Sequence, residues 1–505
     1  MASRGIDGME ESGAAAVTTP RIRSAVLWRS GSQIIGQVVM WGSTLLVLRL
    51  LTPNDYGLFA MTQVVIGLVT LLNGYSFAAS LVQSERLDRE SIGQIFGVLI
   101  LLNFGIAAAQ FLLAPIAADY FHQPLLTKLL RVQCLLHCAT PFIIMPQALL
   151  ARDIDFRTQG RANIGAAAAG AITALSCAYA GLGVWTLVFA PIAAFTTRAL
   201  LFGLLGRWWV RPRFRFKGTG AALGFGGTIL VSDILWFIQN QADVFIAGRR
   251  IDAHMIGLYA EGLFLTQLLV NKFVPALNEV AFPAYARLQT NRGAVAWSFA
   301  RATGIIMLAA LPCYIGLAVT ARPLVLTVMG PQWGEAAPLV RLLAFAMPFV
   351  TLHILYPAAT NALGKPGVSA RTTAAGAILL PIAFWIGVDH FGAMGLAGAW
   401  VAIMPVLVLI STCLSLPVIG LTWKQLGQSI LPPLAAALAM GAVVLLASMA
   451  LPPLPPAAEL ALLVPLGVAA YAVFALLLAR PLVMQAWAML RGRGVSPPEP
   501  QLPAI

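Results

Sequence analysis

The chain has 505 residues, of which 59% are hydrophobic and only 10% are charged. Because soluble domains carry about 25% charged residues, this composition excludes a globule with a single anchor and indicates a polytopic membrane protein. The formal net charge of +13 comes from basic residues in short connectors between apolar runs. That pattern is typical of membrane topology and lipid headgroup contact, and we expect no nucleic-acid partner.

The chain begins with a polar segment and continues into apolar runs. Residues 1–20 contain three acidic residues and no apolar core, so we predict a disordered cytoplasmic tail and not a signal peptide. A helix needs about 20 apolar residues to cross the hydrocarbon core. Charge-poor runs of that length predict an all-α fold with about 14 transmembrane helices. The predicted spans are 29–49, 57–83, 92–118, 131–151, 162–181, 184–206, 221–247, 255–281, 302–321, 337–360, 368–388, 394–418, 426–450 and 459–480.

Two halves of the chain nearly repeat each other. Residues 56–60 (YGLFA) return as residues 256–260 (IGLYA), and residues 181–185 (GLGVW) return as residues 395–400 (GLAGAW). Two similar halves are the architecture of secondary transporters, with the substrate site at the junction between them. The predicted domains are a tail at 1–20, a six-helix lobe at 21–206, a basic linker at 207–220, a second six-helix lobe at 221–420, two additional transmembrane helices at 421–490 and a cytoplasmic tail at 491–505.

The distribution of lysine and arginine predicts the orientation. With both termini in the cytoplasm, the inside segments hold 23 basic residues and the outside loops hold seven. This bias favours cytoplasmic termini because basic residues collect on the cytoplasmic side. Within the basic connector, Arg211, Arg213, Arg215 and Lys217 are predicted to form an interfacial strip that anchors the linker between the lobes.

Two spans carry polar residues on one helical face. In the first span, Gln33 and Gln37 belong to a polar face about 40° wide. In the seventh span, Asp233, Asn240 and Asp243 lie within about 80° of each other. We interpret these faces as the lining of a hydrated cavity between the halves, although residues near span ends can also reach the membrane interface.

The eighth span has the narrowest polar stripe. Glu261, Lys272 and Glu279 project within about 20° of one another. A charged side chain at membrane depth costs on the order of 3 kcal/mol and tends to face a partner or a wet cavity. The stripe is therefore a candidate part of the same cavity.

Catalytic and cofactor sites are not indicated. Cys134, His137 and Cys138 share a helix face, but such a set without a fourth ligand is more typical of packing than of metal binding. All five cysteines lie in apolar segments, so no disulfide framework is expected. No connector is long enough for a folded domain outside the membrane, which argues against an enzyme. We expect no cofactor and no metal.

Several motifs carry a resemblance to a known family. Residues 50–58 (LLTPNDYGL) are similar to the first-loop signature of polysaccharide transporters. Residues 152–157 (RDIDFR) with residues 183–185 (GVW) resemble spans 4 to 6 of that family. Residues 241–248 (QADVFIAG) and 282–289 (FPAYARLQ) resemble spans 7 and 8.

The chain thus resembles Wzx-type polysaccharide transporters over about residues 21–420. These are lipid-linked oligosaccharide flippases, here of the colanic-acid-type branch, in the multidrug/oligosaccharidyl-lipid/polysaccharide exporter superfamily. The resemblance implies two pseudo-symmetric six-helix bundles around a central cavity, plus two extra C-terminal helices. It implies translocation of undecaprenyl-diphosphate-linked oligosaccharide from the cytoplasmic to the periplasmic leaflet of the bacterial inner membrane. Expected partners are that substrate, membrane lipids and the polymerase and chain-length regulator of the pathway.

The same resemblance assigns roles to the polar residues. Related flippases use cationic residues in spans 1 and 8 for the anionic headgroup, and Arg29 and Lys272 are the nearest matches. Gln33, Gln37 and Asn240 complete the expected substrate-binding set. The acidic residues form the expected ion-coupling set, in which a proton or sodium ion binds, or else they neutralise Lys272. These residues are Asp233, Glu261, Asp243 and Glu279.

Two other classes fit parts of the pattern. A drug exporter of the same superfamily would show a cavity dominated by carboxylates, and Lys272 argues against it. A membrane assembly protein without transport activity would not need charged residues within its spans.

Overall fold

The structure, a computed structural model, describes residues 19–71, 89–153, 155–206, 210–214 and 220–491, and all regular elements in these ranges are helical. This confirms the predicted all-α fold. The α-helices are α1 (Thr19–Leu50), α2 (Pro53–Thr70), α3 (Arg89–Tyr120), α4 (Leu125–Ala139), α5 (Pro141–Arg152), α6 (Phe156–Tyr179), α7 (Trp185–Leu205), α8 (Gly220–Ala247), α9 (Ala253–Arg287), α10 (Arg292–Val319), α11 (Ala321–Val328), α12 (Ala336–Ala362), α13 (Pro366–Ile419), α14 (Trp423–Ala450), α15 (Pro456–Leu478) and α16 (Arg480–Leu490). A 3₁₀ turn at Pro331–Trp333 precedes α12.

Ten helical stretches in the described ranges are long and apolar enough to cross a membrane, and one of them, Leu125–Arg152, is formed by α4 and α5 together. Another, α13, has 54 residues and is broken at Gly392, where φ is 58° and ψ is −137°. Its two parts match the predicted spans 368–388 and 394–418. The protein is therefore a multi-pass membrane protein, and the total of about 14 spans stays a prediction.

Some predicted features fall outside the described residues. Residues 1–18 of the predicted tail, residues 72–83 of the second span and residues 492–505 of the C-terminal tail belong to this group. So do residues 207–209 and 215–219 of the predicted linker.

By packing, the chain divides into an N-terminal unit, Met1–Phe237, and a C-terminal unit, Ile238–Ile505. In the N-terminal unit, the described part of the basic connector lies along α3. Arg213 N donates to Gly93 O at 2.8 Å, and Arg213 Nη1 lies 3.2 Å from Glu90 Oε1. Gly97 has no side chain and so lets the Arg213 backbone approach α3, because a Cβ at Gly97 would overlap the Arg213 carbonyl. The connector is thus held by backbone and side-chain contacts together.

The repeat seen in the sequence has a local structural counterpart. Thr52 caps α2 by accepting a hydrogen bond from Asp55 N, and Asp252 caps α9 by accepting one from Met255 N at 2.8 Å. A side-chain oxygen at this position satisfies a backbone N–H that the helix leaves unpaired. The helices that carry the YGLFA and IGLYA motifs therefore start at matching positions in the two halves.

The break in α13 brings two glycines together. The backbones of Gly387 and Gly395 touch, and a Cβ on either residue would overlap the other residue's carbonyl group. Close approach through small residues is a common means of packing helices in membranes. The first and second parts of α13 therefore pack as closely as two backbones allow.

We expect Gly395→Val to lower the free energy of unfolding by about 3 kcal/mol, since the added side chain must separate the two parts of α13. Gly398→Val is the matched control, because no atom lies within 4 Å of the position of its Cβ. Thermal unfolding in detergent measures both variants. Equal unfolding midpoints for the two variants would contradict the proposed role of the contact.

Candidate functional site

The predicted polar face on α1 is only partly described. Gln33 is exposed and Gln37 is half-buried on this helix. The side chains of Arg29 on α1 and of Lys272 and Glu279 on α9 lie outside the part of the chain that the structure describes. Their assignment to substrate binding or ion coupling stays a prediction.

The predicted polar face on α8 divides into three environments. Asp233 is exposed, Asn240 is half-buried and Asp243 is only 1% exposed. Ten residues separate the two aspartates, which turns them about 80° apart on the helix. The Asp233 side chain is therefore open to its surroundings, whereas Asp243 is enclosed by the C-terminal unit.

Asp243 belongs to a hydrogen-bonded chain across three helices of the C-terminal unit. Its Oδ2 accepts a hydrogen bond from Tyr259 Oη on α9 at 2.7 Å, and its Oδ1 accepts one from Val244 N at 2.7 Å. Tyr259 Oη in turn accepts a hydrogen bond from Trp400 Nε1 on α13 at 2.8 Å. Tyr259 is fully buried and Trp400 is 3% exposed. This chain fixes α8, α9 and α13 relative to each other.

Glu261 lies two residues beyond Tyr259 on α9 and has a different environment. Its side chain is half-buried, and no described residue gives it a hydrogen bond or an ion pair. Residues two positions apart in a helix do not share a face, so Glu261 projects away from the Asp243 chain. The structure therefore does not join Glu261 to Asp243.

Sequence reasoning missed Tyr259 as the partner of Asp243, and Trp400 as the partner of Tyr259. A signal was present, because both residues belong to the repeated motifs at 256–260 and 395–400. The repeat indicates two similar halves, but repetition alone does not show what its aromatic residues contact. The two motifs meet at Tyr259 Oη, which accepts a hydrogen bond from Trp400 Nε1 and donates one to the buried carboxyl group of Asp243.

In the N-terminal unit, the buried polar side chains of the described residues are neutral. His137 Nε2 lies 2.8 Å from Gln110 Oε1, and Gln110 Nε2 donates to Leu130 O at 2.7 Å. Trp185, the repeat counterpart of Trp400, stacks on Phe189 with ring centroids 5.5 Å apart. His137 thus pairs with an amide within the helix bundle, which agrees with a packing role.

Two clefts of the C-terminal unit are apolar. One, of about 490 Å³, lies beside the break in α13 and is lined by residues including Phe391, Met394 and Ala402. The other, of about 310 Å³, lies between α12, α13 and α14 and is lined by residues including Leu352 and Trp423. None of the predicted site residues lines either cleft.

Comparison with known proteins identifies the family. The sequence profile of the family described as "Polysaccharide biosynthesis protein" matches residues 46–338, more than half of the chain. The chain belongs to this family. The match includes Asp233, Asp243 and Glu261, and it ends before Trp400.

Curated relatives of this polysaccharide biosynthesis protein share about a fifth to a quarter of its residues. It is 23% identical over 409 residues to the lipopolysaccharide biosynthesis protein WzxC of Escherichia coli K12. The aligned region covers 78% of this chain and 82% of WzxC. It is 23% identical to the succinoglycan biosynthesis transport protein ExoT of Rhizobium meliloti, over 66% of the chain and 68% of ExoT. It is 21% identical to the teichuronic acid biosynthesis protein TuaB of Bacillus subtilis, over 84% of the chain and 88% of TuaB.

Solved structures show the same fold at low sequence identity. The lipid II flippase MurJ, in an inward closed conformation, matches with a TM-score of 0.73 and 13% identity, covering 91% of this chain and all of MurJ. An inward-facing multidrug resistance MATE family transporter of the MOP superfamily matches with a TM-score of 0.58 and 14% identity. The match covers 78% of this chain and 97% of that transporter. The fold of this polysaccharide biosynthesis family member is therefore a MurJ- and MATE-like transporter fold.

Proposed function

We propose that the protein is a flippase for undecaprenyl-diphosphate-linked oligosaccharide repeat units. It moves them from the cytoplasmic to the periplasmic leaflet of the bacterial inner membrane by alternating access, for exopolysaccharide, capsule or O-antigen assembly. The observation that supports this proposal most is that the chain belongs to the polysaccharide biosynthesis protein family. One of its relatives is named as a succinoglycan biosynthesis transport protein, which adds to that support. The protein translocates its substrate and does not modify it.

The physical chemistry of the cargo agrees with this proposal. A diphosphate and several sugars cannot cross hydrocarbon unaided, because each polar group would lose its hydration. A fixed cation in a hydrated cavity replaces part of that hydration. We assign this role to Lys272 with Arg29, and the sugar contacts to Gln33, Gln37 and Asn240. Both termini are cytoplasmic, and the product passes to a polymerase and a chain-length regulator.

The proposed activity can be measured in proteoliposomes that contain undecaprenyl-diphosphate-linked oligosaccharide with a fluorescent label. We expect the label to become accessible to an external, membrane-impermeant quencher faster than in protein-free liposomes. Export of a cationic dye without movement of the labelled lipid would instead identify a drug exporter. Movement of neither compound would reject both transport functions.

We assign ion coupling to Asp233, because its carboxylate is exposed while Asp243 is enclosed and hydrogen-bonded. Asp233→Asn should abolish the response of flipping to an imposed proton or sodium gradient and leave substrate binding unchanged. Asp252→Asn, which alters an exposed helix cap, is the control. Parental responses of Asp233→Asn to both gradients would show that the coupling site lies elsewhere.

A further inference from the structure

One arginine of the C-terminal unit is buried without a hydrogen-bond partner. Arg301 on α10 is 6% exposed, and none of its three guanidinium nitrogens has a hydrogen-bond partner. Its guanidinium carbon lies 4.9 Å from the ring centroid of Trp297, one turn earlier on α10. A cation–π contact offsets only a small part of the cost of burying an unpaired charge. The guanidinium group of Arg301 therefore lacks an anionic partner among the described residues.

The contacts on the two faces of α10 show which helices lie near Arg301. On one face, Phe299 stacks on Tyr356 of α12 with ring centroids 5.5 Å apart. Arg301, two residues further, lies on the opposite face. There, a Cβ on Gly304 would lie 2.9 Å from Leu482 of α16, and Tyr471 of α15 donates a hydrogen bond to Leu308 O. The same Cβ would lie 3.2 Å from Ser429 O of α14, so Arg301 lies on the face of α10 that packs against α14, α15 and α16.

The depth of Arg301 in the membrane follows from the length of its helix. The apolar part of α10 begins directly after it and runs over residues 302–319, which at 1.5 Å per residue is about 27 Å. That length is close to the hydrocarbon thickness of about 30 Å. Arg301 is therefore at the boundary of the hydrocarbon, where the phosphates of the lipids lie.

The same end of the C-terminal unit is basic throughout. Here α9, α12 and α15 end and α10, α13, α14 and α16 begin, since α10 runs parallel to α14 and antiparallel to α12. The residues of this basic end, 281–301, 361–371, 419–425 and 479–491, contain no aspartate or glutamate. Its cations are Arg287, Arg292, Arg301, Lys365, Arg371, Lys424, Arg480 and Arg491.

We propose that Arg301 binds the phosphate of an anionic bilayer phospholipid, held between α10 and the C-terminal helices α15 and α16. The guanidinium fork donates two N–H groups to phosphate oxygens, which is the strongest geometry that an arginine offers to an anion. The acyl chains lie in the hydrocarbon directly beyond the arginine. The bound lipid supplies the missing counter-charge and so attaches the last two helices to the rest of the unit. This site is separate from the one proposed for the transported substrate.

The test compares Arg301→Gln with the parent and with Lys424→Gln, which removes an exposed cation from the same basic end. In lipid-free detergent, Arg301→Gln should unfold at the same temperature as the parent or higher, because a buried unpaired charge has been removed. Added phosphatidylglycerol should raise the unfolding temperature of the parent and of Lys424→Gln but not that of Arg301→Gln. Arg301→Lys should retain part of this shift.

Native mass spectrometry gives the second measurement. The population of protein with one bound phosphatidylglycerol should fall about tenfold in Arg301→Gln relative to Lys424→Gln, the factor expected for loss of one charge-assisted pair. A lower unfolding temperature of Arg301→Gln even without lipid would mean that the side chain serves packing alone, and would overturn the proposal. A rise in unfolding temperature of the same size with phosphatidylcholine or with inorganic phosphate would also overturn the proposal. A rise that only undecaprenyl phosphate produces would overturn it as well.

Discussion

Lys272→Ala is expected to abolish polysaccharide export while the protein still inserts normally. Lys272 lies eleven residues after Glu261 and seven before Glu279 on α9, so the helix places all three on one stripe. A hydrogen bond to a charged group contributes about 1.5–3 kcal/mol, so its loss should weaken binding of the diphosphate about 10- to 100-fold. Lys272→Arg should keep partial function, because the charge remains and its geometry changes.

The comparison for Lys272→Ala is Lys365→Ala, which removes an exposed lysine after α12. Polysaccharide export in a strain that lacks the native gene measures function, and binding of the lipid-linked substrate by purified protein measures the contact itself. Export at the parental level by Lys272→Ala, at matched protein abundance, would exclude a required cation at this position. Loss of export in both variants would point to a general effect of positive charge.

The helices of the protein could be predicted from sequence because the membrane imposes one simple rule. An apolar run of sufficient length must form a helix, since no other structure satisfies its backbone groups in lipid without neighbours. Thus the long helix α13 was predicted as two spans, and the structure breaks it at Gly392 between them. The close contact of Gly387 with Gly395 was not predicted, because helix periodicity describes one helix at a time.

The environments of single polar residues were predicted less well. Periodicity placed Asp233 and Asp243 on one face, but a face 80° wide can touch two different neighbours. Here, Asp243 is buried and accepts a hydrogen bond from Tyr259, which is bonded in turn by Trp400, whereas Asp233 is exposed. Arg301 stands directly before the predicted span 302–321, and the sequence around it gives no sign that its side chain is buried. Its burial depends on how α10 packs in the folded unit, where the neighbours on this face come from helices more than 120 residues further along the chain.

The second large effect is expected at Tyr259. Replacing Tyr259 by phenylalanine leaves two buried groups without their partner, Asp243 Oδ2 and Trp400 Nε1. Each unsatisfied buried group costs about 1–3 kcal/mol, so we expect Tyr259→Phe to lower the free energy of unfolding by about 3 kcal/mol. Tyr314→Phe is the matched control, since Thr351, the partner of Tyr314, also donates to Met347 O. That variant should lose less than about 1 kcal/mol.

A double-mutant cycle separates the hydrogen-bonded chain from simple packing. Trp400→Phe removes one of the two groups that Tyr259→Phe leaves unpaired, so the double variant should be more stable than the sum of the single effects predicts. Trp185→Phe, at the repeat counterpart, where the tryptophan stacks on Phe189, should show no such coupling with Tyr259→Phe. Denaturant unfolding in detergent gives the four free energies. Additive effects of Tyr259→Phe and Trp400→Phe would mean that the two aromatic residues act by packing. The hydrogen bonds that connect α8, α9 and α13 would then not stabilise the protein cooperatively.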